Sequence, residues 1–368
     1  MKRIFTVLTS IALTFALSFS AAFASDDALL KSQNYLKTIA LDSPDAVIAY
    51  EATGMEADYK ADALLNNFKG TDYVTASYGD LAKSIIAISL LGENPKDFNK
   101  TNLVEILENR VQEDGTLTND VNGGCGATIW TLMALETVNS PKVKAVADKL
   151  STMAMDNGAY WYEYKGQNAD LDTTGWAMEA LSVAGRSTYD AAISKAYTFV
   201  QSKLNSTYGY YDNWGGNADT QSCVLEGLSV AGYTLDTNAY NYLLSYQNED
   251  GTFNALNYST NQLEPNAYAS VEGARALGVI NNGSFVLKAK KDYTKTTTPV
   301  VTEPETPTTP TKPSTTTPAV KPETTTTEPK KETVKVVNTG DNTNVMAYVV
   351  AAIAAVGVIV LVIKSKKK

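Results

Sequence analysis

The chain has 368 residues, 44% of them hydrophobic, and a formal net charge of −9. That hydrophobic content is enough for one large core, while the negative charge leaves no basic surface for nucleic acid, so we expect no nucleic-acid partner. There is no histidine, which excludes histidine-based triads and the usual imidazole metal sites, and we expect neither a cofactor nor a bound metal. The two cysteines, Cys125 and Cys223, are either one bridge or two buried thiols.

Residues 1–24 have the three parts of a secretory signal peptide. Lys2 and Arg3 form a basic start, an apolar run follows, and a small-residue cleavage site ends at Ala24. We therefore expect the mature chain to begin near Ser25, outside the cell.

One short phrase recurs through residues 25–292, with successive copies 47, 46, 47 and 46 residues apart. The copies begin at Ala87, Ala134, Ala180, Gly227 and Gly273. Each lies at the end of a run with apolar residues at helical spacing, and a closing glycine is typical of a helix C-cap. A repeat of this length indicates stacked helical hairpins.

The repeat predicts an all-α domain of about five and a half helical hairpins with short extended loop segments. We expect inner helices at 77–92, 126–139, 173–185, 219–232 and 266–278. More amphipathic outer helices follow them, such as 191–204, and then a glycine turn such as the one at Gly158. A further repeat helix is predicted at 29–40.

Two motifs carry a resemblance to a known fold family. Residues 247–253, QNEDGTF, resemble the Q-x-x-D-G-x-W/F motif of squalene cyclase repeats, and residues 172–181, DTTGWAMEAL, are similar to a helix opening common in bacterial surface toroids. The domain thus resembles the α/α toroids of the terpenoid cyclase and protein prenyltransferase superfamily, which also includes transcobalamin-type carriers and complement thioester domains. The resemblance implies a toroid but no single function, because these relatives do unrelated things.

Each activity of these relatives can be tested on the residues. In the D-x-D-D motif of class II cyclases the middle Asp is the acid; here Asp170 and Asp172 match, but Thr173 replaces the third carboxylate. We expect Asp172 to cap its helix, with an acid role as the alternative. A thioester needs a glutamine where Thr128 stands, so none can form. The zinc site of prenyltransferases needs a histidine, which this sequence lacks. Cobalamin carriers usually have a second, lid domain, whereas here the Thr/Pro-rich segment comes directly after the repeats.

Three columns of the repeat, at positions −8, −4 and −1 from the phrase, fall on one helical stripe and predict a ligand site. They hold Gly126, Trp130 and Met133, then Asp172, Trp176 and Glu179, then Asp219, Cys223 and Glu226, and then Pro265, Ala269 and Glu272. Trp161, Tyr162 and Trp214 approach from loops. Carboxylates beside aromatic faces suit a sugar or a cationic ligand. Alternatively, the three glutamates pair with cations of adjacent helices and the aromatics fill the core.

The last part of the chain predicts a surface anchor. Residues 293–335 are rich in Thr and Pro and predict an extended stalk. Residues 345–363 carry no charge and span about 28 Å as a helix, enough for one transmembrane crossing, and the basic tail 364–368 is expected in the cytoplasm.

Residues 336–340, VVNTG, are similar to the Leu-Pro-x-Thr-Gly sorting signal of Gram-positive bacteria, with two valines in place of Leu-Pro. The resemblance implies cleavage between Thr339 and Gly340 by a sortase and attachment to peptidoglycan. A plain membrane anchor through the C-terminal helix is the alternative. Either places the domain on the extracellular face of a Gram-positive-type cell.

The expected function is binding of an extracellular small molecule, glycan or protein ligand without catalysis. The alternatives are a terpenoid-cyclase-like enzyme with an Asp acid in the toroid cavity, and a structural wall component or adhesin. A dry, acid-tipped centre would favour the enzyme, an open wet concavity would favour binding, and a filled centre would favour a structural role.

Overall fold

The structure is a computed structural model that describes residues 26–57, 68–120, 123–162, 168–211 and 216–297. Most of these residues are helical. The helices are α1 (Asp26–Leu36), α2 (Pro44–Ala52), α3 (Tyr78–Leu90), α4 (Leu103–Glu108), α5 (Cys125–Thr137), α6 (Val143–Met153), α7 (Leu171–Gly185), α8 (Asp190–Ser202), α9 (Ala218–Val230), α10 (Thr237–Leu244), α11 (Ala267–Asn282) and α12 (Phe285–Thr297). The strands β1 (Phe253–Asn257) and β2 (Gln262–Asn266) form an antiparallel hairpin. The predicted all-α class is confirmed.

The predicted signal peptide, sorting signal, transmembrane segment and basic tail lie outside the described residues. Within the described ranges, no helix is both long enough and apolar enough to cross a membrane. All the described helices belong to one compact unit of the chain.

Helices α2, α3, α5, α7, α9 and α11 form a closed ring. Each packs against the next in the chain, and α11 packs against α2, which closes the circle. The five predicted inner helices correspond to α3, α5, α7, α9 and α11. The sixth inner helix is α2, not the predicted helix at 29–40. That segment corresponds to α1, which ends at Leu36 and packs outside, on α11 and α2.

Most remaining helices lie outside the ring. Helix α4 packs on α3 and α5, α6 on α5 and α7, α8 on α7, and α10 on α9. Helix α12 is the exception, because it packs on the inner helices α2, α3 and α5.

Five of the six inner helices begin at side-chain caps of one kind, whereas α5 begins at Gly124 without one. Ser43, Ser77, Asp170, Asn217 and Asn266 each accept a hydrogen bond from the backbone N–H three residues later, at 2.7–3.2 Å. The prediction that Asp172 is a cap is therefore wrong. Helix α7 begins at residue 171, two residues earlier than predicted, so the capping carboxylate belongs to Asp170.

The C-terminal ends of the inner helices follow the predicted glycine rule in part. Gly92 and Gly232 have φ of 73° and 76°, in the left-handed region that favours glycine. Gly278 does not end its helix, because α11 continues to Asn282 and Gly283 takes the left-handed position at φ 87°.

Helix α12 lies partly in the segment predicted as stalk. Phe285, Ala289 and Tyr293 recur at every fourth residue, which places them on one helical face, and all three are buried. The folded domain therefore extends to Thr297, and the predicted boundary at residue 292 falls inside a helix.

Candidate functional site

The N-caps give every inner helix the same starting point and so align three columns of side chains. Two residues after the caps lie Asp45, Gly79, Gly126, Asp172, Asp219 and Tyr268. Six residues after them lie Ala49, Lys83, Trp130, Trp176, Cys223 and Glu272. Nine residues after them lie Ala52, Ile86, Met133, Glu179, Glu226 and Arg275. This spacing is one helical stripe.

Contacts between neighbouring helices support this alignment. In the middle column, the Lys83 Nζ lies 4.6 Å from the centre of the Trp130 ring, and the Trp130 and Trp176 rings are 5.7 Å apart. The Cys223 thiol donates to Glu272 at 3.7 Å. The three columns are therefore layers shared by successive helices.

The alignment corrects the predicted columns of the last repeat. Tyr268, Glu272 and Arg275 replace the predicted Pro265, Ala269 and Glu272, a shift of three residues. The segment before α11 contains the β1–β2 hairpin, which lengthens this repeat, so the fixed 46-residue step placed the residues wrongly.

The N-terminal ends of several inner helices border a cleft of about 970 Å³. Its polar and aromatic lining includes Tyr78, Asp80, Lys83, Asn109, Arg110, Asn119, Asp120, Trp130, Tyr162, Asp170, Asp172, Trp176 and Tyr268. Of the predicted ligand residues, Trp130, Tyr162, Asp172 and Trp176 line it. The cleft also brings in residues that the repeat pattern did not single out, Tyr268 among them.

The two tryptophans form the buried floor of the cleft. Trp130 and Trp176 are only 4% and 7% exposed. Lys83 lies over the Trp130 ring, and Phe285 from α12 stacks on it with 6.3 Å between ring centres. Trp130 therefore already has partners for stacking. The indole Nε1 of Trp176 is buried without an acceptor among the described residues.

The aromatic surface that a ligand can reach comes from two tyrosines. Tyr162 is 55% exposed and Tyr268 is 53% exposed. The Tyr162 ring sits directly on Gly126, where a Cβ would lie 2.9 Å from the ring. The absence of a side chain at Gly126 therefore makes room for a wall of the cleft.

The cations of the cleft are held by the fold. Lys83 forms a 2.8 Å ion pair with Asp45. Arg110 donates to the backbone carbonyls of Tyr73, Val74 and Ala76 at 2.7–3.0 Å. The contacts of Arg110 fix the loop before α3.

Three predicted ligand residues lie in a buried ion network below the cleft. The Arg275 Nε donates to both carboxylate oxygens of Glu226, at 3.0 and 3.1 Å, and Glu272 lies 3.7 Å from the same guanidinium. Glu179 accepts a 3.2 Å hydrogen bond from Ser284. The alternative of pairing with a cation of an adjacent helix is thus correct for Glu226, whereas the cation near Glu272 lies on its own helix. None of the three glutamates lines the cleft.

Burial sets the protonation of this network. It raises the pKa of Glu272 to about 7 and that of Asp219 to about 6, against the attraction of Arg275. Burial, together with the nearby Glu226, raises the pKa of Glu179 well above its usual range. A single guanidinium cannot balance all these carboxylates, so the network holds protons near neutral pH.

The remaining predicted residues are dispersed. Asp219 belongs to the same layer as Asp172 but does not line the cleft, and its helix is capped by Asn217. Trp161 packs against the hydrophobic core. Trp214 lies outside the described residues. Cys125 and Cys223 are free, buried thiols and not a bridge.

Helix α12 covers the C-terminal ends of several inner helices. Lys288 donates to Glu51 of α2 and Lys290 donates to Glu136 of α5, both at 2.6 Å. With Phe285 against Trp130, this helix closes part of the ring from the side opposite the cleft.

No protein-family model and no curated protein matches the chain. A crystal structure of a protein from Actinoplanes is similar to it, with 12% sequence identity and a TM-score of 0.43 over 76% of this chain and 99% of that one. A likeness this distant carries no information about function.

Proposed function

We propose that residues 25–297 form an α/α toroid of the terpenoid cyclase and prenyltransferase superfamily, displayed on a cell surface, and that its cleft binds a ligand without catalysis. The closed ring of inner helices with helices packed outside it supports the toroid assignment. The signal-peptide, stalk and sorting-signal patterns of the sequence support surface display.

The observation that carries the binding proposal is the cleft itself. It is about 970 Å³ in volume, has both polar and apolar lining, and is flanked by two tyrosines that are more than half exposed. Ligand sites are concave surfaces with a few polar groups that fix orientation, and this volume is in the upper part of their usual range of about 300–1,000 Å³.

The arrangement of the carboxylates favours binding over cyclase chemistry. A cyclase acid must protonate a hydrocarbon in a dry cavity, whereas Asp172 lines a cleft with many polar groups. Its partner in the sequence motif, Asp170, accepts the 2.7 Å cap hydrogen bond from the Thr173 N–H. Glu179 and Glu272, whose carboxyl pKa values are raised by burial, lie in the network below the cleft and do not line it.

Native mass spectrometry of the protein from its own host tests the proposal. We expect a bound molecule on the wild type, and its loss from Asp172→Asn, which removes one cleft charge with little change in shape. Asp97→Asn, an exposed position outside the cleft, is the matched control and should keep the ligand. Retention by Asp172→Asn would place the ligand elsewhere. Conversion of the recovered molecule by the wild type, abolished in Asp172→Asn, would establish the enzyme alternative.

A further inference from the structure

The lining of the cleft offers hydrogen-bond donors and acceptors side by side. Asn109 and Asn119 provide both in one amide group, and Asp120 and Asp172 provide acceptors. The Tyr78 hydroxyl already donates to backbone carbonyls and can only accept from a ligand. A ligand with many hydroxyls can meet both kinds of group at once, because each hydroxyl donates and accepts. An ammonium ion only donates and leaves the cleft donors unmet.

The Trp176 indole is a second, independent indication. It belongs to the floor of the cleft, is 7% exposed, and its N–H has no acceptor among the described residues. A buried donor without a partner is rare in native structures. Because the N–H is itself enclosed, an oxygen brought to this floor by a ligand supplies the acceptor after a small movement of the floor side chains.

The charges of the cleft are close to balance. Its four carboxylates outnumber its two cations by two. Helices α3, α5 and α7 begin at the cleft, and each N-terminus contributes roughly half a positive charge. The remaining surplus is small and negative, which suits hydroxyl donors and is too weak to select a polycation.

Two aromatic faces lie at the edge of this polar surface. Tyr162 comes from the loop before α7, and Tyr268 comes from the first turn of α11. Both rings are more than half exposed although they line a concave site. The C–H faces of sugar rings pack well on such aromatic surfaces, and two tyrosines from separate elements can contact more than one ring.

We infer that the ligand of the cleft is a short oligosaccharide whose rings pack on Tyr162 and Tyr268 and whose hydroxyls bond to the carboxylates and amides between them. This inference rests on the proposed binding function and specifies its ligand class. The cleft volume of about 970 Å³ fits several linked sugars better than one.

Isothermal titration of the full chain in detergent tests the inference. The probes are the tetrasaccharides of glucose in β-1,4 and α-1,4 linkage, of mannose and of N-acetylglucosamine, with spermidine as a cationic probe. We expect at least one tetrasaccharide to bind. Tyr162→Ala and Tyr268→Ala should each weaken that binding about threefold to tenfold, as the loss of one aromatic contact predicts.

Tyr258→Ala is the matched control, because Tyr258 is 78% exposed on the hairpin and does not line the cleft. It should leave tetrasaccharide binding unchanged. Binding that survives both cleft substitutions would overturn the inference. Binding of spermidine alone, lost in Asp172→Asn, would overturn it while supporting the proposed binding function. If none of the probes binds, the inference is wrong. If the mass spectrum also shows no native ligand, the proposed function is wrong too.

Discussion

The two ends of the helical ring differ in what covers the ends of the inner helices. At the N-terminal end the caps and first turns border an open cleft lined by charged, amide and aromatic side chains, with two exposed tyrosines. At the C-terminal end, α12 covers the helix ends with a buried aromatic face and two lysine–glutamate pairs. The difference teaches that one helix, packed across the C-terminal ends, distinguishes the covered end of the ring from the open one.

The covered end predicts the largest stability effect. Phe285→Ala removes a fully packed ring that contacts Trp130, and we expect a loss of about 3–5 kcal/mol in the free energy of unfolding. Leu287→Ala on the same helix is the control, because Leu287 is 49% exposed and should cost less than about 0.5 kcal/mol. Denaturant unfolding measures both, and similar losses would mean that α12 is not held by its buried face.

The ion network between the two ends predicts a pH dependence. The carboxyl pKa values rise on folding from 3.8 to about 6 for Asp219 and from 4.5 to about 7 for Glu272. The folded protein therefore binds these protons more tightly than the unfolded chain. Stability should fall as pH rises from about 4 to 8, by at most about 3 kcal/mol per group.

Thermal melting across this pH range checks the sign. The midpoint should decrease toward pH 8 in the wild type and decrease less steeply in Asp219→Asn, which lacks one of the shifted groups. A midpoint that increases through the same window would show that the network is fully ionised in the folded state.

The cap assignments at the cleft end predict a smaller effect. Asp170→Ala removes the 2.7 Å hydrogen bond to the Thr173 N–H and should cost about 0.5–2 kcal/mol. Asp172→Asn keeps the cap and should cost less. Chemical unfolding of the two variants separates the assignments, and the opposite order would restore Asp172 as the cap.

The ion pairs of the covered end predict the smallest effect. The Lys290 side chain is 33% exposed, so its pair with Glu136 is partly screened by water, and Lys290→Ala should cost less than about 1 kcal/mol. The same unfolding assay measures it. If Lys290→Ala lowers the free energy of unfolding as much as Phe285→Ala does, then ion pairs and not apolar packing hold α12 on the ring.

Much of the fold follows from the sequence, because hydrophobic period and glycine position are local signals. The predicted inner helices match α3, α5, α7, α9 and α11 to within a few residues at most ends. Helix α12 was missed because its lysines and threonines resemble the composition of the predicted stalk. Its buried stripe, Phe285, Ala289 and Tyr293, was the available signal.

The cleft was harder to predict than the helices. Trp130, Asp172 and Trp176 were found because they recur in register, and Tyr162 because it is an aromatic loop residue. Tyr268 was missed because the hairpin before α11 shifts that repeat by three residues. Whether a carboxylate faces a cleft or a buried arginine depends on the neighbouring helix, and the pattern within one helix does not contain that information.

Closure of the ring also constrains the order in which the chain can fold. The Asn282 side chain donates to the Ala52 carbonyl at 2.9 Å across 230 residues, and Gln247 donates to the Ala28 carbonyl across 219 residues. Open repeat arrays can fold by adding one repeat to its neighbour. In this ring, the first helices can make their contacts with the last ones only after nearly the whole domain has been synthesised. Such non-local contacts raise contact order, and we expect slow folding with the first repeat last to gain protection from amide hydrogen exchange.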